Sequence, residues 1–312
     1  MHEMDGGVRR VTFALPLGID HVHCYLLPGS DGAWTVVDTG LGLPGARSQW
    51  ASVLAGLDGP VERIVVTHFH PDHVGAAADL AELTGATVYQ GAEDYAQCVR
   101  TWGESRIAGR VPDYLRTHGV PDDEIAVFRR EAETLRGVVH FVRDPEPIAP
   151  GDSVDGWEVL AVPGHADGHL ALLRDGVLIA GDSLLASITP NVGLYPDSRP
   201  DPLGDFLGSL AAIAELAPRI AFGGHGEPMD DPAGRAQELV THHRDRLEQA
   251  VDALGSEPQN AYDLSFALWP EALAPALRRF ALAETRAHVE YLVQRDEAVR
   301  LGDERVEYVA VS

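Results

Sequence analysis

Thr67-His68-Phe69-His70-Pro71-Asp72-His73 places three histidines and an aspartate in the six positions after Thr67. It follows the apolar run Arg63-Ile64-Val65-Val66-Thr67, which reads as a strand. Pro71 fixes its own φ and disfavours helical geometry at His70, so the donors sit on a turn after that strand. A helix is expected next, over Val74 to Leu83. On such a turn His68 and His70 can reach one metal ion, while Asp72 and His73, at the mouth of the helix, can point at a second. Imidazole and carboxylate without thiolate suit zinc, manganese or iron. A histidine-rich surface turn would account for any one of these histidines, but poorly for the set.

Three later positions strengthen the metal reading, because each is a potential ligand directly after an apolar run ending in glycine or proline. His165 follows Trp157 to Gly164, Asp182 follows Val177 to Gly181, and His225 follows Ile220 to Gly224. All three then lie at strand ends, where open α/β architectures place their sites. Four separate strand ends would converge on one place.

These residues resemble the metallo-β-lactamase superfamily. The match is HxHxDH at His68, His70, Asp72 and His73, then Pro163-Gly164-His165, Gly181-Asp182-Ser183 and Gly224-His225-Gly226, within residues 10 to 230. Val36-Val37-Asp38-Thr39-Gly40 is similar to the family's Asp-bearing strand end under the metal site. The resemblance implies an α/β fold, an αβ/βα metallo-β-lactamase sandwich. It also implies His68, His70 and His165 on a first metal, Asp72, His73 and His225 on a second, and Asp182 bridging. Two Zn2+ ions are the expected cofactors, with Mn2+ or Fe2+ as alternatives. The implied activity is a metal-dependent hydrolase of thioesterase or esterase/lactonase type. It would attack the carbonyl of a small-molecule acyl substrate (thioester, lactone or ester) with a hydroxide held between the metals, Asp72 and Asp182 being the catalytic carboxylates. Asp38 and His169 are expected to orient the ligands.

Departures narrow the choice. Oxidoreductase members carry a glutamate where this chain has His70, which disfavours a di-iron redox role. True β-lactamases of this fold are exported and most often use cysteine or histidine where Asp182 stands, whereas this chain begins Met1-His2-Glu3-Met4-Asp5-Gly6-Gly7 with no apolar export segment.

The chain has 312 residues and 45% hydrophobic content, enough for one large domain and a small one. No apolar run reaches membrane-spanning length, so no membrane partner is expected. Cys24 and Cys98 give no disulfide framework and point to a cytoplasmic location. All 24 basic residues are arginine, which excludes lysine-nucleophile and Schiff-base chemistry. The net charge of −24 disfavours nucleic acid as a partner.

The expected division is a catalytic domain over residues 1–230, with residues 93–147 inserted as a helical lid, and a C-terminal domain over residues 231–312. Within the lid, Trp102, Tyr114 and Phe128 are expected to pack it onto the body, and Arg100, Arg106, Arg110 and Arg116 face only Glu104 and Asp113, a cationic surface suited to an anionic substrate group. Helices over Ala233 to Leu254, Ala261 to Trp269 and Ala272 to Arg295, then a hairpin around Gly302-Asp303, resemble a small winged-helix-like domain. Such tails occur in the branch of β-lactamase-like protein 2, a single-strand-specific endoribonuclease; that activity is the alternative reading, and the site chemistry also resembles the glyoxalase II-like branch. Asp296, Glu297, Asp303, Glu304 and Glu307 make this tail acidic where a nucleic-acid wing is basic. It is therefore expected to act in packing, in lid support or in forming a homodimer.

Overall fold

The computed structural model describes residues 1–16, 18–103 and 107–311. Two sheets stack face to face with helices outside both. The first contains β1 (His2–Glu3), β2 (Arg9–Ala14), β3 (His21–Pro28), β4 (Trp34–Val37), β5 (Val61–Val66), β6 (Thr87–Gly91) and β7 (Glu146–Ile148), in that spatial order. Its early strands pair antiparallel, and β4 to β7 run parallel. The second contains β8 (Ser153–Val154), β9 (Trp157–Ala161), β10 (Leu170–Arg174), β11 (Val177–Gly181) and β12 (Ile220–Gly223), ordered β12-β11-β10-β9-β8. Tyr25, Leu27, Val37 and Val65 of the first sheet meet Val159, Leu172, Ile179 and Phe222 of the second. Strands covered on both faces are continuous apolar runs, as Ile64-Val65-Val66 shows. This is the αβ/βα sandwich the sequence implied.

Helices α1 (Ala46–Leu54), α2 (Pro71–Val74) and α3 (Ala77–Thr84) follow strands of the first sheet. The expected single helix over Val74 to Leu83 is in fact two, α2 and α3, broken at Gly75-Ala76. The break lets Ala76 N donate to Gly40 O (2.9 Å) and Ala78 N to His140 O (2.7 Å), bonds that a continuous helix would forgo. Behind this turn Trp50 of α1 is fully buried, packs its ring at 41° to that of Phe13 with centroids 5.1 Å apart, and donates Nε1–H to Thr39 O (2.8 Å). Trp50→Ala is expected to destabilise the protein by about 4 kcal/mol, seen as a lower denaturant midpoint at unchanged slope.

Helices α4 (Ala92–Trp102), α5 (Ile107–Thr117) and α6 (Asp122–Arg136) make up the segment between β6 and β7. After β11 come α7 (Pro202–Leu216) and, beyond β12, α8 (Pro232–Ala253). Asp201 and Asp231 cap these two helices, each accepting from a backbone N–H three residues on (2.9 Å), with proline in the first helical position. The chain then forms α9 (Ala261–Leu268), α10 (Pro275–Val293) and a ribbon of β13 (Ala298–Leu301) and β14 (Glu307–Ala310).

The insertion between β6 and β7 and the C-terminal segment share one core. Leu115, Ile125 and Phe128 of α5 and α6 pack with Tyr262, Leu282, Val289, Val306 and Tyr308. Polar ties cross the same seam: Tyr262 Oη donates to Glu124 Oε1 (2.5 Å), and Val306 N to Thr117 O (2.9 Å). Trp102 Nε1–H is bonded to Phe69 O (2.7 Å) and Tyr114 Oη–H to Leu194 O (2.9 Å), so these aromatics anchor the insertion to the body. Two of the four arginines expected to make a cationic surface there are paired with carboxylates. Arg110 pairs with Asp197 (3.0 Å), and Arg116 with Asp113 (2.9 Å) and Asp122 (2.8 Å); Glu104 and Arg106 lie outside the described residues. Among the described residues no helix is long and apolar enough to cross a membrane, and Cys24 and Cys98 are buried free thiols.

Candidate metal centre

His70 takes the extended conformation (φ −61°, ψ 148°) that a following proline imposes, and Pro71 then starts α2. The turn leaves β5 at the edge between the sheets. Gly181 ends β11 and Gly223 ends β12, and Gly224 N donates to Gly181 O (2.8 Å), which sets Asp182 beside His225. Gly164 takes φ 132°, and a Cβ there would press on the α7 backbone at Phe206, so the approach of His165 to the turn requires glycine.

The structure brings all seven sequence-proposed donors together. Donor atoms of His68, His70 and His165 lie within 4.8 Å of one another, and so do those of Asp72, His73 and His225. Asp182 stands between the triads, with Oδ1 3.5 Å from His73 Nε2 and Oδ2 3.2 Å from His225 Nε2 and 3.7 Å from His165 Nε2. Asp72 Oδ2 is 3.4 Å from His225 Nε2.

The outward nitrogens of His68, His73, His165 and His225 are each committed. His73 Nδ1 donates to Asp38 Oδ2 (2.8 Å), His165 Nδ1 to Asn191 O (2.8 Å) and His225 Nδ1 to His21 O (2.6 Å). Thr67 Oγ1 gives its proton to Asp38 and so accepts from His68 Nδ1 (3.0 Å). Asp38 also accepts from Thr67 N (2.8 Å), and therefore braces both triads from one carboxylate. Asp38 sits at φ 59°, a region aspartate enters more readily than most residues. His169 accepts from Asp182 N (3.1 Å) and stacks on His68 at 4.5 Å, the orienting role expected of it.

These commitments leave bare Nε2 lone pairs facing inward. His70 Nδ1 lies 3.1 Å from His68 Nε2 and 2.8 Å from His165 Nε2, and a single proton on it can satisfy only one of them. His73 Nε2 and Asp182 Oδ1 are buried with no hydrogen-bond partner. Burial holds His68 well below the usual imidazole range, with the adjacent imidazoles adding to the effect. Burial also opposes charge on His73 and His225, yet Asp182 and its neighbouring carboxylates overcome it, raising His73 well above its ordinary value and His225 to about 10. Converging lone pairs and carboxylates that draw positive charge inward fit divalent cations held by nitrogen and oxygen.

Some supports carry no sequence signature. Asn191 and His21 act through backbone carbonyls. Asp94, buried at the start of α4, accepts from Phe69 N (2.9 Å) and Gln90 Nε2 (2.6 Å) and so steadies the turn between His68 and His70. It hides in Glu93-Asp94, which reads as an ordinary acidic first turn.

A profile of the metallo-beta-lactamase superfamily matches residues 17–225, and one described as metallo-beta-lactamase-like, C-terminal domain, matches residues 247–309. The chain is 29% identical over 301 residues to the probable metallo-hydrolase YqjP of Bacillus subtilis strain 168, with 91% of each chain covered. It is 35% identical over 115 residues to a hydroxyacylglutathione hydrolase of Alkalilimnicola ehrlichii, a match spanning 37% of this chain and 41% of that protein. The crystal structure of a metallo-beta-lactamase family protein from Thermus thermophilus superposes with a TM-score of 0.86 at 37% identity, over 98% of this chain and 99% of that one.

Proposed function

The chain belongs to the metallo-beta-lactamase superfamily, and from that premise we propose that it is a dinuclear metal-dependent hydrolase of acyl substrates, with thioesters first among them. The observation that carries the reading is the pair of donor triads joined by Asp182. His68, His70 and His165 would hold one ion and Asp72, His73 and His225 the other, zinc being the ion this donor set suits best. Bound there, the ions would supply Lewis acidity toward a carbonyl oxygen and make water a nucleophile near neutral pH.

The chain's own residues do the positioning. Asp38 and Thr67 fix the tautomers of His73 and His68, Asn191 fixes His165, and His21 fixes His225. Asp182, braced through its backbone by His169, keeps the two triads in register. Asp72, whose side chain is 14% exposed against 8% for Asp182, is the carboxylate set to take a proton from attacking water.

A thioester is favoured because a thiolate departs without a proton donor, and the polar groups beside the donors are already engaged as supports. The similarity to a hydroxyacylglutathione hydrolase, named for hydrolysing an acyl group carried on glutathione, points the same way. Carboxylic esters and lactones share the carbonyl chemistry. The test is hydrolysis by zinc-loaded protein across glutathione and coenzyme A thioesters, esters, lactones and a fluorescent single-stranded RNA. Chelator-sensitive thioester turnover is the expected result. RNA cleavage with no acyl turnover would overturn the proposal and assign the centre to phosphodiester chemistry.

A further inference from the structure

A second group of donors stands apart from the centre. His243 on α8 and Glu284 and His288 on α10 each place a donor atom within 4.8 Å of the others. Both histidines have no solvent exposure, and Glu284 is 9% exposed. Glu284 and His288 are four residues apart on one helix and share a face. His243 meets them across the packing of α8 on α10.

The protonation pattern suits a cation. His288 Nδ1 donates to the Glu284 carbonyl (2.8 Å), which leaves its Nε2 lone pair facing His243 Nδ1 at 3.2 Å. Two imidazoles on one tetrahedral ion, with bonds of about 2.0–2.1 Å, bring their nitrogens to roughly this separation. That contact is the one polar interaction of His243 among the described residues, for its Nε2 is buried without a partner. Glu284 makes no ion pair among the described residues, and its only side-chain hydrogen bond there is from Asn191 Nδ2 to Oε2 (2.8 Å). A carboxylate buried this way is costly, with only the Arg246 charge, which makes no ion pair with it among the described residues, to offset the burial.

We propose that His243, Glu284 and His288 form a separate, structural metal site that takes one divalent ion of zinc's chemistry and clamps α8 to α10. This site does not depend on the reading of the catalytic centre. It does touch that centre's supports, because Asn191, which donates to Glu284, also accepts from His165 through its carbonyl.

The deciding experiment is anomalous diffraction at the zinc edge on zinc-loaded full-length protein, with metal stoichiometry measured by elemental analysis. A peak between His243 and His288 is expected in the wild type. The same peak is expected to persist in Asp182→Ala while metal at the first centre falls, and Glu284→Gln is expected to lower the wild-type stoichiometry by one equivalent. A wild-type map with no density between α8 and α10 would reduce the His243–His288 contact to a plain hydrogen bond and overturn the proposal, whether or not the variants fold. Peaks at the first centre report separately on the dinuclear reading.

Discussion

Asp182→Ala is expected to lower turnover a thousandfold or more, about 4 kcal/mol of transition-state stabilisation, and to deplete the metal centre. Asp182 alone among the donors is within 4 Å of His73, His165 and His225, and so reaches both triads. Its removal leaves His73 and His225 with Asp72 as their one nearby carboxylate among the donors and cuts the link to His165. The effect should be chemical and not a collapse of the fold. The side chain is buried among imidazoles, where its charge is held by His225 and His73 and makes no contribution to the apolar layers. Elemental analysis, circular dichroism and single-turnover kinetics on one preparation separate these possibilities. Asp182→Asn, which keeps the shape and loses the charge, should share the defect. Full activity with full metal content in either variant would sink the dinuclear assignment.

Gly224→Ala is expected to weaken zinc binding about a hundredfold, the scale of losses when ligand supports are disturbed. A Cβ built there falls on Asp182 Oδ1 and lies 2.6 Å from His73 Cε1. The backbone cannot retreat, since Gly224 N is bonded to Gly181 O (2.8 Å) and Gly224 O accepts from His23 N (2.7 Å). The residue's φ lies outside the left-handed region, so the penalty is steric alone. Overpacking of this kind costs about 2 kcal/mol of stability, far short of unfolding a domain of this size. Competition against a chromogenic chelator measures the affinity, and thermal melting of the chelated protein isolates the stability cost. Unchanged affinity would show that ions, if bound, sit away from the Asp182–His73 pair.

The seven residues were legible because His68, His70, Asp72 and His73 crowd one turn after a strand, and His165, Asp182 and His225 each follow a strand run that stops at glycine or proline. Such runs place a side chain at a sheet edge whatever the rest of the chain does. Asp38 was legible through the resemblance of Val36-Val37-Asp38-Thr39-Gly40 to the family's Asp-bearing strand end. The break between α2 and α3 was not, because it is set by bonds to Gly40 and His140, which a helical pattern does not register. The pairing of Arg110 was hidden for a related reason: Asp197 lies 87 residues away and cannot be seen in a local charge count. His243, Glu284 and His288 sit on two helices whose sequences read simply as core and surface. Their meeting is a product of packing, as is the union of the insertion and the C-terminal segment.

That union has a consequence for how the protein can be rebuilt. The chain leaves the sandwich after β6 and again after β12, and the two departures are dressed as one body, with Phe128 from the first and Tyr308 from the second in the same apolar cluster. This second interior is thus encoded in two instalments. A graft that replaced α5 and α6 alone would carry half an interior into a host with no matching half, so exchange of substrate preference between relatives has to move both instalments together.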